Sequence, residues 1–104
     1  MTIKTLMYQL ENDICFESEG RKGSTRLLAI VLDMLTNNRF DDLNYILDTI
    51  DFEKISTRCI GVLFRSCYQA KNMLGSYKSS YKRACNVLAN KNIDSVELFK
   101  GMII

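Results

Sequence analysis

Thiols come first among the groups in this chain that can attack, ligate or transfer, and there are four, at Cys15, Cys59, Cys67 and Cys85. They form no C-x-x-C pair, and the chain has no histidine to complete a mixed zinc site or to act as the commonest general base. Thiols scattered in this way predict core filler, because cysteine is among the most often buried residue types. Carboxylates offer two pairs for acid–base work, Asp41 with Asp42 and Glu17 with Glu19. The first pair stands where a helix start favours negative charge, and the second lies beside Arg21 and Lys22. Gly20-Arg21-Lys22-Gly23-Ser24-Thr25 places glycines ahead of a helix, as phosphate-cradling loops do. It lacks the lysine that should follow the second glycine and the buried strand that should precede the loop, so it predicts a polar linker. The expectation is a protein without catalytic residues, metal or cofactor.

Cationic side chains carry more information. Residues 1–50 hold eight acids and five bases, a net −3, whereas residues 51–104 hold four acids and nine bases, a net +5. Between Lys54 and Ile93 there is no acid at all, while Lys54, Arg58, Arg65, Lys71, Lys78, Lys82, Arg83 and Lys91 are basic. On a helix Arg58 and Arg65, seven residues apart, point nearly the same way, opposite Ile60, Leu63 and Cys67, and Gln69 and Asn72 extend that outer face. Lys78 and Lys82 are one turn apart on the next helix, with Arg83 directed away from Tyr81 and Cys85. Arg58, Arg65, Gln69, Lys78, Lys82 and Arg83 are therefore the candidate partner-binding residues. They suit an acidic surface on another protein, or nucleic acid phosphates, with solvation of the outer faces as the plain alternative. Gly75 also allows a helix-turn-helix, with Lys78, Ser79, Ser80 and Lys82 early on the second helix, although Tyr77 and Tyr81 align with the apolar stripe. An acidic first half meeting a basic second half makes a homo-oligomer a further option.

The elements that must position these groups are helices. The chain has no proline, five glycines and apolar residues spaced three and four apart. Ile3, Leu6, Met7, Leu10 and Ile14 make one stripe, followed by a polar connection through Gly23. Ser24 is the expected cap of a second helix whose Leu27, Leu28, Ile30, Val31, Leu32, Met34 and Leu35 cover over half its circumference, predicting the most buried element. Asn37-Asn38 closes it, and Phe40, Leu43, Ile46, Leu47 and Ile50 mark a third helix after so short a link that the two should form a hairpin. Ser56 caps a fourth helix, carrying Ile60, Leu63, Phe64, Cys67 and Leu74 to a stop at Gly75. A fifth runs from Tyr77 to about Asn90-Lys91-Asn92. Asp94 with Glu97 gives a capping box for a sixth, with Ile93 placed to staple against Leu98.

Residues 40–102 resemble small helical proteins of tailed bacteriophages. The resemblance lies in Phe40-Asp41-Asp42-Leu43 with Ile46-Leu47, Ile55-Ser56-Thr57-Arg58, Val62-Leu63-Phe64-Arg65, Lys71, Leu74, Tyr77, Tyr81, Asn92-Ile93-Asp94 and Leu98-Phe99-Lys100-Gly101. It implies an accessory phage protein and assigns no catalytic or binding residue.

The resulting expectation is one all-α domain over residues 1–104, a compact bundle of five to six short helices. No apolar run approaches the ~20 residues of a membrane span, and the first ten residues lack a secretory pattern, so the expected location is the cytoplasm. The expected function is protein–protein interaction, as a phage factor that inhibits or redirects a host or defence protein. The alternative is nucleic-acid binding by a basic face on the helices spanning 57–91. The apolar tail Met102-Ile103-Ile104 should close the bundle or dock on a second copy.

Overall fold

The computed structural model describes residues 20–100, with side chains from Leu27 onward, and Lys4, Thr5 and Tyr8. The expected stripe of the first segment, the Glu17–Glu19 pair, Cys15 and the apolar tail fall outside the described residues. Helices dominate: α1 (Gly20–Thr36), α2 (Phe40–Thr49), α3 (Thr57–Cys67), a 3-10 helix (Tyr68–Met73), α4 (Tyr77–Asn90) and the single turn α5 (Ser95–Leu98). Among the described residues there is no strand, and the all-α expectation holds.

Local signals set most boundaries. The Ser56 Oγ accepts a hydrogen bond from Cys59 N at 3.2 Å and caps α3, satisfying one of the donors that every helix start leaves open. Asp94 does the same for α5, its Oδ1 accepting from Val96 N at 2.9 Å. Its expected box partner Glu97 turns elsewhere, to Lys100 Nζ at 3.2 Å. The two asparagine-rich stops share one geometry. Asn38 (φ 56°) and Asn92 (φ 59°) take the left-handed conformation. The next residue's N–H returns to the last turn, Arg39 N to Met34 O at 2.8 Å and Ile93 N to Leu88 O at 2.9 Å, which closes off orphan carbonyls.

Three expectations are corrected. Helix α1 starts at Gly20, so Ser24 lies inside it and the glycine–lysine stretch is helical rather than a linker. Extending a nucleated helix gains a hydrogen bond per residue, which offsets the roughly 1 kcal/mol handicap of each glycine where no proline blocks the way. Nor is α1 the most buried element. Leu27, Val31 and Met34 face the core, but Leu28 and Leu32 are 38% and 47% exposed. The centre is α3, where Cys59, Ile60, Gly61, Leu63, Phe64 and Cys67 are all buried, and against which α1 chiefly packs. Finally, the fourth helix is not continuous to Leu74. After Cys67 it tightens into the 3-10 helix, whose i→i+3 bonds satisfy carbonyls at a helix end.

The core is built around Phe64, with ring centroids of Phe52, Tyr77, Tyr81 and Phe99 at 5.6, 5.5, 5.5 and 5.9 Å. Phe52 and Ile55 come from the connection between α2 and α3, held by an Asx turn in which Asp51 Oδ1 accepts from Glu53 N at 3.0 Å. Gly61 lets α5 approach α3 closely: a Cβ there would stand 3.0 Å from Leu98 Cδ1. On α4 the small residues Ser80 and Ala84 face the core between Tyr77 and Leu88. Buried Ser80 donates its hydroxyl hydrogen locally, with Ser76 O at 2.7 Å and Tyr77 O at 3.0 Å as acceptors.

Candidate functional site

The six candidate residues are all exposed at the level of the whole residue, yet the fold separates them. Arg65, in the last turn of α3, donates from Nε to Gly61 O one turn back at 3.1 Å. It lines a shallow groove of about 420 Å³ with Leu28 and Leu32 of α1 and Val62 and Ser66 of α3. Asn72 does not continue that face. The change from 3.6 to 3.0 residues per turn at Tyr68 redirects the side chains beyond it, and Asn72 lines a different cleft with Lys71 and Lys78.

Arg83 is the clearest departure. Its Nη2 donates to Leu47 O and its Nη1 to Ile50 O at 3.3 Å, and its guanidinium lies 4.9 Å from the Phe52 ring centroid. A fork of donors thus closes the C-terminal end of α2, the end that favours a cation. Arg83 is a structural clamp between α4 and α2 and leaves the set of cations available to a partner. Arg58, Gln69 and Lys82 remain on the surface.

The second cleft is more developed. It has a volume of about 440 Å³ and is lined by Lys71, Asn72, Leu74, Gly75, Tyr77, Lys78 and Tyr81. In the 3-10 helix side chains three apart eclipse one another, which sets Lys71 Nζ 4.3 Å from the Tyr68 ring centroid. The floor is anchored in the core: Leu74 and Tyr77 are buried, the Tyr77 and Tyr81 rings stack at 6.1 Å and 13°, and the Tyr77 hydroxyl donates to Phe64 O at 3.4 Å. Burial, more than the neighbouring Cys67, Tyr81, Tyr68 and Cys85, pushes the Tyr77 phenol well above its ordinary value. Tyr81 is raised as well, by burial and then by Cys85. At the start of α4 beside the cleft the Ser76 side chain makes no cap hydrogen bond, Asn44 Oδ1 of α2 accepts from Ser76 N at 3.1 Å, and the first turn holds no acid, Lys78 standing there instead. A cation at that end is unfavourable to the helix.

Two ion pairs are described, Arg39–Asp42 at 2.6 Å and Lys100–Glu97 at 3.2 Å, each between neighbours three apart. Neither involves a cation between residues 54 and 91. The thiols offer little chemistry: Cys67 is unbridged and buried, its pKa pushed up to about 12 by desolvation, Cys59 is buried, and Cys85 is unbridged and half-buried. Among the described residues no three of His, Cys, Asp and Glu stand together as a metal site, and no helix is long and apolar enough to cross a membrane. The helix-turn-helix is not formed, because residues 68–76, the 3-10 helix and its turn, separate α3 from α4, whereas that motif uses a turn of about three or four residues.

Sequence reasoning missed the association of Lys71 with Lys78 and the tyrosine floor beneath them. The signal was present as two lysines seven apart, bracketing Gly75 and Tyr77. A helical period carried through to Leu74 hides it, because the chain tightens into a 3-10 helix at Tyr68. No family model, curated protein or solved structure matches the chain.

Proposed function

We propose that this chain is a non-enzymatic binding protein that holds an acidic surface of a partner protein through the exposed cations of α3, the 3-10 helix and α4. The observation that carries this reading is the unneutralised charge. Arg58, Arg65, Lys71, Lys78 and Lys82 take part in no described ion pair, and the stretch from Lys54 to Ile93 that bears them contains no acid. Complementary charge of this kind speeds encounter and selects partners, with an effect that fades as salt screens it. The resemblance to phage accessory proteins supports a host or defence protein as the partner, inhibited or redirected by occupation of its surface in the host cytoplasm.

Affinity capture from cells expressing the tagged chain tests the proposal. A defined acidic protein should be retained at low salt and lost from an Arg58→Glu/Lys78→Glu/Lys82→Glu variant that still folds. Capture unaffected by charge reversal, or no enriched protein in repeated trials, would overturn it. Mobility-shift titration at two salt concentrations addresses the nucleic-acid alternative, whose mark is binding that weakens steeply with salt.

A further inference from the structure

The cleft between the 3-10 helix and α4 combines two features that the rest of the basic side does not: an apolar floor and a pair of cations at its rim. Leu74, Tyr77 and Tyr81 form the floor, and Lys71 and Lys78 approach it from different elements with Asn72 and Gly75 between them. The tyrosines pack against Phe64 and against each other, which ties the floor to the core. The volume of about 440 Å³ falls within the roughly 300–1,000 Å³ typical of binding pockets. An open hollow of this kind takes a protruding side chain, as the central anchor pockets of protein interfaces do.

We infer that this cleft receives an aromatic side chain of the partner, flanked in the partner's sequence by carboxylates that meet Lys71 and Lys78. The inference rests on the acidic-partner reading and adds to it the chemistry of the anchor: an acidic peptide segment with one aromatic residue at its centre. The ring lies against Leu74, Tyr77 and Tyr81, and each lysine pairs with one carboxylate. Arg58 and Lys82 contribute only general attraction. No acid stands among the residues that line the cleft to compete for the lysines, and Lys78 at the start of α4 is itself relieved when an anion arrives.

The test is a titration of the isotope-labelled full-length protein, followed by amide chemical shifts, with a ten-residue peptide of alternating Asp and Glu around a central Phe. A second peptide has Ala in place of Phe. The Phe peptide should shift the amides of Asn72, Gly75 and Lys78 and bind about tenfold more tightly than the Ala peptide. Lys71→Gln and Lys78→Gln should each weaken binding by about tenfold, as expected for loss of a charge-assisted contact. Gly75→Leu supplies a second, sterically based variant. A Cβ at Gly75 meets nothing within 4 Å, so the change is accommodated without a clash at Cβ, and a bulky side chain added to the cleft lining should also weaken binding.

If the peptides bind equally, or if shifts gather at Arg58 and Lys82 while the cleft stays silent, the anchor is wrong and the basic-surface reading survives. If neither peptide shifts any amide at low salt, both are wrong. A single-stranded oligonucleotide that perturbs the cleft more strongly than the Phe peptide would overturn the inference in favour of nucleic acid.

Discussion

Replacing Arg83 separates a structural clamp from a binding cation. Its guanidinium donates to Leu47 O and Ile50 O, 36 and 33 residues away in sequence, and covers the Phe52 ring at 4.9 Å. A hydrogen bond from a charged donor contributes about 1.5–3 kcal/mol when shielded, and taking about 1 kcal/mol for each of these two allows for their partial exposure to water. The cation–π contact adds about 0.5–1 kcal/mol. Arg83→Met keeps an apolar stem over Phe52 but loses both bonds and the cation–π contact and should cost about 2.5 kcal/mol; Arg83→Ala loses that stem too and should cost about 3.5 kcal/mol. Urea unfolding reads this directly. With a slope of about 1–1.5 kcal/mol/M for a domain of this size, the Met variant should unfold about 1.7–2.5 M earlier at an unchanged slope. Arg83→Lys should recover less than half of the loss, because one ammonium cannot span two carbonyls as a planar fork does. Midpoints for both Met and Ala variants within about 0.3 M of the parent would refute the clamp and return Arg83 to the surface cations.

The orientation of α1 predicts a contrast between neighbours: Leu27→Ala should destabilise by about 2–5 kcal/mol and Leu32→Ala by less than about 1 kcal/mol, measured by the same urea titration. Similar losses at both positions would mean that Leu32 is covered. Alkaline pH should weaken the fold, since burial raises the Cys67 thiol from 9.0 to about 12 and the Tyr77 phenol upward as well. The unfolded chain releases these protons first, so their stabilisation is complete below about pH 9 and is lost at up to about 1.4 kcal/mol per pH unit for Cys67 as pH climbs toward its folded value. Equal unfolding midpoints at about pH 8 and about pH 10.5 would contradict this. Two turn positions should respond in opposite directions to alanine, judged by thermal midpoint. Gly75→Ala, at a non-positive φ with open space around it, should stabilise by about 0.4–1 kcal/mol. Asn92→Ala, at φ 59°, should destabilise by about 1 kcal/mol.

Element type and most boundaries were legible in the sequence because they depend on groups within about five residues of one another. Ser56 and Asp94 find their N–H partners three and two residues on, and Asn38 and Asn92 close helices through bonds that reach back five residues. The spacing of Ile60, Leu63, Phe64 and Cys67 likewise marks one helix face without reference to the rest of the chain. The start of α1 was harder to place, because glycine raises the cost of helix without forbidding it.

Among the described residues, sequence alone therefore determined a helical chain, its apolar faces, its principal stops and a long stretch free of acid. Tertiary packing decided which cation is spent and which remains available. Arg83 is bound because α4 lies against the end of α2. Leu28 and Leu32 are exposed because α1 presents only one side to α3. Lys71 and Lys78 share a cleft because the chain tightens at Tyr68 and turns at Gly75. The physical reason is range: a cap or a stripe is a matter of neighbours along the chain, whereas the surroundings of a charge depend on how separate helices cross.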